Sequence, residues 1–114
     1  YPMPTTYNIH RAPNALTLAR HAPARFDVAA EATLTGAADL LRLAHQVRQD
    51  VWRAVRRLRG FSPVVEVTQA ETTLQVRAGG RALPPVSPTA NSRIQAVLDD
   101  PANRSRWLRH ARLK

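Results

Sequence analysis

The sequence predicts an α+β fold: one long amphipathic helix packed on a small antiparallel sheet, with an extended N-terminal arm and short C-terminal helices. Three observations carry this reading. Apolar residues recur at helical spacing across residues 37–59, apolar and polar residues alternate across 62–78, and four prolines interrupt the first 24 residues. The chain divides accordingly into a Pro-rich basic arm (1–24), an α+β domain (25–100) and a basic C-terminal tail or helix (101–114).

In the arm, Pro2, Pro4, Pro13 and Pro23 exclude a long helix and favour extended or turn backbone. His10, Arg11, Arg20 and His21 are its basic residues, and it has no Asp or Glu. The stretch "RFDVAAEATL" places Phe26, Val28, Ala30, Ala32 and Leu34 at period two, which reads as a strand closed by Thr35 and Gly36. The next segment, "AADLLRLAHQVRQDVWRAVRRLR", is the strongest signal. Leu40, Leu43, Ala44, Val47, Val51, Ala54, Val55 and Leu58 share one arc of about 120°, the width of a core-facing stripe, and Gly60 ends the helix.

Residues 62–78 read as a hairpin in which Val65 and Val67 face Leu74 and Val76. Gly79 and Gly80 read as a turn, and Pro84, Pro85 and Pro88 as a stiff connector. Ile94, Val97 and Leu98 suit a short helix that ends near Asp99 and Asp100. Asp100-Pro101 then offers a cap and a first-turn proline to a last helix.

At 114 residues the chain is expected to form one domain with a modest core of its own. The absence of cysteine excludes disulfides, cysteine-ligated metals and thiol chemistry. Seventeen Lys plus Arg against eight Asp plus Glu give a net charge of +9, a balance that attracts phosphate backbones or anionic partners. Lys114 is the one lysine, and Arg forks suit bidentate contacts to phosphate and carboxylate. A GC-rich genome also accounts for Arg over Lys. It does not account for the shortage of acids.

The stretch "VWRAVRRLRG" concentrates four arginines, Arg53, Arg56, Arg57 and Arg59, at the end of the long helix. Arg42, Arg53, Arg56 and Arg57 lie opposite the apolar stripe, and Arg48 and Arg59 flank it beside Leu41, His45 and Trp52. Two readings of the face stand open, a solvated helix surface or a polyanion-binding one. Trp52 with Arg48 suits stacking on a base, filling a partner's pocket, or lying beneath the arm or the tail. In the tail, Arg104, Arg106, Arg109 and Arg112 surround a narrow apolar strip of Trp107, Leu108 and Ala111, a pattern that fits either a partner-dependent helix or a frayed end. The candidate contact set is therefore Arg48, Trp52, Arg53, Arg56, Arg57, Arg59, Arg104, Arg106, Trp107, Arg109 and Arg112.

Catalytic signals are absent from the sequence. His10, His21, His45 and His110 form no i,i+3 or i,i+4 pair, so no helical metal pair is expected. There is no Gly-rich phosphate loop, no Gly-x-Ser-x-Gly and no separated pair of catalytic carboxylates. The sequence predicts neither an enzyme nor a cofactor, metal or small-molecule substrate.

Residues 25–47, "RFDVAAEATLTGAADLLRLAHQV", resemble the opening of an OmpA-like peptidoglycan-binding domain, where a Phe-Asp strand leads through an Ala-x-Leu-Thr turn into a helix. The resemblance implies a periplasmic cell-wall module whose binding site pairs a Thr-Asp strand end with an Arg on a later helix. Here "VEVTQAET" supplies Thr68 without the aspartate, and Arg93 stands where the arginine is expected.

The expected function is a non-enzymatic basic structural subunit of a large assembly that contacts nucleic-acid phosphates, RNA above all, in a ribonucleoprotein-like setting. The alternative is an accessory subunit of a multi-protein or membrane-bound complex. Its arm and basic tail would dock on acidic protein subunits or make peripheral contact with lipid headgroups. A degenerate OmpA-like periplasmic module is the third reading.

Overall fold

A computed structural model describes residues 7–21 and 24–113. The element order is β1 (Asn8–Ala12), β2 (Ala15–Ala19), β3 (Val28–Thr35), α1 (Leu40–Val55), β4 (Ser62–Gln69), β5 (Thr73–Arg81), α2 (Ala90–Asp99) and α3 (Pro101–His110). The five strands form one open antiparallel sheet in the order β1-β2-β4-β5-β3. β3 and β4 both run antiparallel to β5 and hence parallel to each other, so α1 is the crossover that joins them.

Alternation puts one row of each strand toward the helices. Leu16 pairs with Val67, Val67 with Val76 and Val76 with Ala32; Leu18 leads likewise through Val65 and Ala78 to Ala30. α1 covers β2 and β4 with Leu43, Ala44, Val47, Val51 and Val55, all buried, and α2 covers β3 with Ile94 and Leu98. The predicted stripe is thus the buried stripe, with Leu40, Ala54 and Leu58 at its margins. Asp39 caps α1 by accepting the Arg42 N–H at 3.0 Å; the helix ends at Val55, earlier than the expected end at Gly60, and residues 56–60 form a turn in which Gly60 takes φ +63°.

Two expectations take another form in the structure. The N-terminal arm is extended, and its residues 8–19 form the β1–β2 hairpin that completes the sheet. Pro13 and Asn14 occupy its two-residue turn, and Leu16 and Leu18 bury an apolar face against β4. Pro2, Pro4 and Pro23 lie outside the described residues, as does Lys114. Likewise, Gly79 and Gly80 do not turn the chain but lie inside β5, between β3 and β4. A Cβ at Gly79 would run into the Val28 carbonyl and one at Gly80 into the Ser62 carbonyl, so both glycines serve close backbone approach. The hairpin turn falls at residues 70–72, where the Ala70 N–H donates to the Thr73 carbonyl at 2.8 Å.

The C-terminal segment also belongs to the core. Asp100 caps α3 by accepting the Ala102 N–H at 2.8 Å, with Pro101 in the first turn, as the sequence predicts. Trp107 is completely buried, and its indole N–H donates to Asp50 Oδ2 on α1 at 2.6 Å. Arg106 donates to the same oxygen, and the Ala111 carbonyl accepts the Asp39 N–H at 2.8 Å. α3 is therefore pinned along α1.

The two edges of the sheet differ. On β3 three of the outward backbone groups are met by side chains from the helices. The Ala29 N–H donates to Asn91 Oδ1 at 2.9 Å, Gln95 Nε2 donates to the Glu31 carbonyl at 2.9 Å, and Arg104 Nη1 reaches the Thr33 carbonyl at 3.4 Å. β1, at the other edge, is exposed along its whole length.

Candidate nucleic-acid interface

The end of α1 and the turn that follows it carry a basic surface, because the apolar stripe fixes the rotation of the helix and leaves Trp52 and Arg53 outside, and residues 56–60 form an exposed turn. Arg53, Arg56, Arg57 and Arg59 are exposed there, as is Trp52, which keeps 39% of its surface in solvent. The Arg56 guanidinium lies 5.5 Å from the Trp52 ring centroid, a cation–π contact that holds an aromatic plane and a charge together. Arg53 is 3.9 Å from Asp50, a loose pair. Among the described residues, Arg56, Arg57 and Arg59 have no carboxylate within ion-pairing distance. The patch ends at a turn tied to the following segment, where the Leu83 N–H donates to the Arg59 carbonyl at 2.8 Å.

Arg48 is placed differently. It is half-buried, with its guanidinium 5.1 Å from the Tyr7 ring centroid, and the same tyrosine meets His45 edge-on at 5.3 Å. The chain entering β1 thus covers His45 and Arg48 but leaves Trp52 open. Burial in that angle, with Arg48 adding to it, lowers the His45 pKa below its ordinary 6.5.

In the tail, three of the five candidate residues serve the fold and are withdrawn from the contact surface. Trp107 is sequestered in the core. Arg106 is committed to Asp50 and to Asn103 Oδ1 at 3.1 Å. Arg104 donates to the Leu98 carbonyl at 2.6 Å and to Asp99 at 3.3 Å, besides its contact to β3. Arg109 and Arg112 remain exposed at the end of α3. Between α1 and α3 a groove of about 240 Å³ is lined by Gln46, Gln49, Asp50, Arg53, Arg106 and His110, so Arg53 joins the α1 patch to the end of α3.

The uncovered face of the sheet is a second surface, and the sequence reading missed it. Register aligns His10, Thr17, Glu66, Arg77 and Glu31 in one row across all five strands. Beside this row lies a cavity of about 630 Å³, where the Arg77 guanidinium sits 4.2 Å from the Phe26 ring centroid. The alternation of "VEVT" against "LQVR" held the signal, since it sets Glu66 and Arg77 outward and opposite each other. Carboxylates and guanidinium share this face, so it lacks the single sign of charge that a polyanion needs. Thr68 also faces this side, whereas Arg93 belongs to the helix layer, so the two are not brought together.

Among the described residues no three His, Cys, Asp or Glu side chains are grouped to hold a metal ion, and no helix is long and apolar enough to cross a membrane. No family model, no curated protein and no solved structure matches this chain.

Proposed function

We propose that this chain is a basic, non-enzymatic structural subunit of a nucleic-acid-containing assembly, and that the end of α1 and the turn after it contact the phosphates, RNA above all. The observation that carries this reading is the run of exposed Arg56, Arg57 and Arg59, without a carboxylate partner among the described residues, with Arg56 held against an exposed Trp52. Guanidinium groups without carboxylate partners are free to exchange water and counterions for phosphate oxygens, and an aromatic plane beside them offers a stacking surface for an unpaired base. The net charge of +9 favours approach of a polyanion from a distance. Arg109 and Arg112 extend the basic surface along α3.

The test is titration of the protein with a mixed single-stranded RNA at several salt concentrations, followed by tryptophan fluorescence. Trp107 is buried, so quenching reports Trp52. Four phosphate contacts on a single strand give a log–log salt slope of about −3. Replacing Arg56 and Arg57 by Gln is expected to flatten that slope by about 1.4. Absence of binding at low salt, or binding indifferent to salt, would overturn the proposal.

A further inference from the structure

The hydrogen-bond phase of the first hairpin identifies the groups that β1 leaves free. The Asn14 carbonyl accepts the Gln69 N–H at 2.7 Å, so residues 14, 16 and 18 direct their backbone groups to β4. Ala15, Thr17 and Ala19 then bond to β1 through their partners Ala12, His10 and Asn8. It follows that the N–H and C=O of Ile9 and of Arg11 point away from the sheet. Among the described residues none of these four groups has a partner. On the opposite edge, Asn91, Gln95 and Arg104 each take one outward group of β3, at residues 29, 31 and 33.

We infer that β1 is a docking edge for strand addition by an extended acidic segment of a partner protein. This site is separate from the α1 patch and does not depend on the nucleic-acid reading. Charge chooses the occupant. Arg11 lies on the strand, Arg20 follows β2 with its carbonyl accepting from Asn8 Nδ2 at 3.2 Å, and Arg48 lies under Tyr7 at the strand's entry. A second copy would bring the same cations and another +9 to this edge, whereas an acidic segment neutralises them.

The register also sets a pattern for the partner. Ile9 pairs with Leu18, which faces the helices, so Ile9 and Arg11 share that face and Ile9 is 43% exposed. An added strand meets them with two residues spaced two apart, an apolar side chain beside Ile9 and a carboxylate beside Arg11. On the other face its intervening residue meets His10.

The probe is a capped octapeptide that carries Val and Glu alternately on one face and Thr on the other, followed by amide NMR on the full chain. Binding is expected to protect the Ile9 and Arg11 amides from exchange. Ile9→Pro removes one free N–H without touching a bond to β2, and it is expected to weaken the peptide about tenfold, the worth of one or two main-chain hydrogen bonds. The same peptide N-methylated at alternate amides leaves the protein unaltered and is expected to fail equally. Arg11→Glu is expected to shift preference to the peptide with Lys in place of Glu. Peptide shifts confined to Arg53, Arg56 and Arg57 would overturn the inference, because a generally basic surface would then be the binder. Full affinity of the N-methylated peptide, absence of binding, or concentration-dependent dimers with Ile9 protected would do the same.

Discussion

Asp50 is the residue whose removal tests the architecture most sharply. Its Oδ2 accepts the indole N–H of Trp107 at 2.6 Å and a proton of Arg106, and its Oδ1 lies 3.9 Å from Arg53. Trp107 is wholly buried and has no water to turn to. Asp50→Ala therefore orphans a buried donor, at about 1–3 kcal/mol, and it also loses the charge-assisted bond to a half-exposed Arg106. The expected sum is about 2–4 kcal/mol, which lowers the Tm of a domain of this size by roughly 10 °C. Asp50→Asn keeps an oxygen for the indole and is expected to cost about 1 kcal/mol. The assay is urea unfolding of both variants, and of Asp50→Ala combined with Trp107→Phe. In the double variant the orphaned donor is gone, so a coupling of about 1–2 kcal/mol is expected. A cost for Asp50→Ala below about 0.5 kcal/mol, or strict additivity with Trp107→Phe, would refute the claim that this bond pins α3 to α1.

Two further predictions follow from local geometry. Gly79→Ala drives a Cβ into the Val28 backbone, which cannot swing aside as a side chain can; a loss of about 3 kcal/mol or more is expected in urea unfolding, and an unchanged midpoint would contradict the close approach of β3 to β5. The His45 pKa is depressed in the folded chain, so the stability it contributes is complete above 6.5 and is lost as pH falls through the folded-state value. An NMR titration is expected to place the His45 midpoint below 6.5 and to show it rising in Arg48→Ala, whereas a midpoint at or above 6.5 would oppose the burial assigned to it.

The parts of the fold legible in the sequence are those specified by local pattern. The stripe from Leu43 to Val55 has a single solution, a helix buried along one side, and the alternation through Val65, Val67, Leu74 and Val76 has one as well. The hairpin at residues 8–19 also carried a signal, Leu16 and Leu18 after a Pro-Asn turn. It was masked by the proline density around it and by a β1 whose five residues are all exposed. Gly79 and Gly80 misled because a glycine pair reads as a turn wherever the neighbouring strands are unknown. Their meaning depends on Val28 and Ser62, which only the sheet brings near. The tail misled for an electrostatic reason. Arg104 and Arg106 appear unpaired in a local window, while Asp99 and Asp50 lie 5 and 56 residues away in sequence. Of the candidate site, the α1 cluster was legible because helix geometry alone places Arg53, Arg56 and Arg57 outward. The Glu66–Arg77 face was not, because its row exists only once five strands are in register.

The side chains that meet the β3 edge also bear on how far association can go. Growth of a sheet through successive molecules requires each one to offer two unsatisfied edges, one to receive and one to extend. Asn91, Gln95 and Arg104 each take one outward backbone group of β3, and their side chains stand where a further strand would lie. Pairing at β1 is therefore favoured over pairing at β3, an asymmetry that disfavours growth of the sheet through successive molecules.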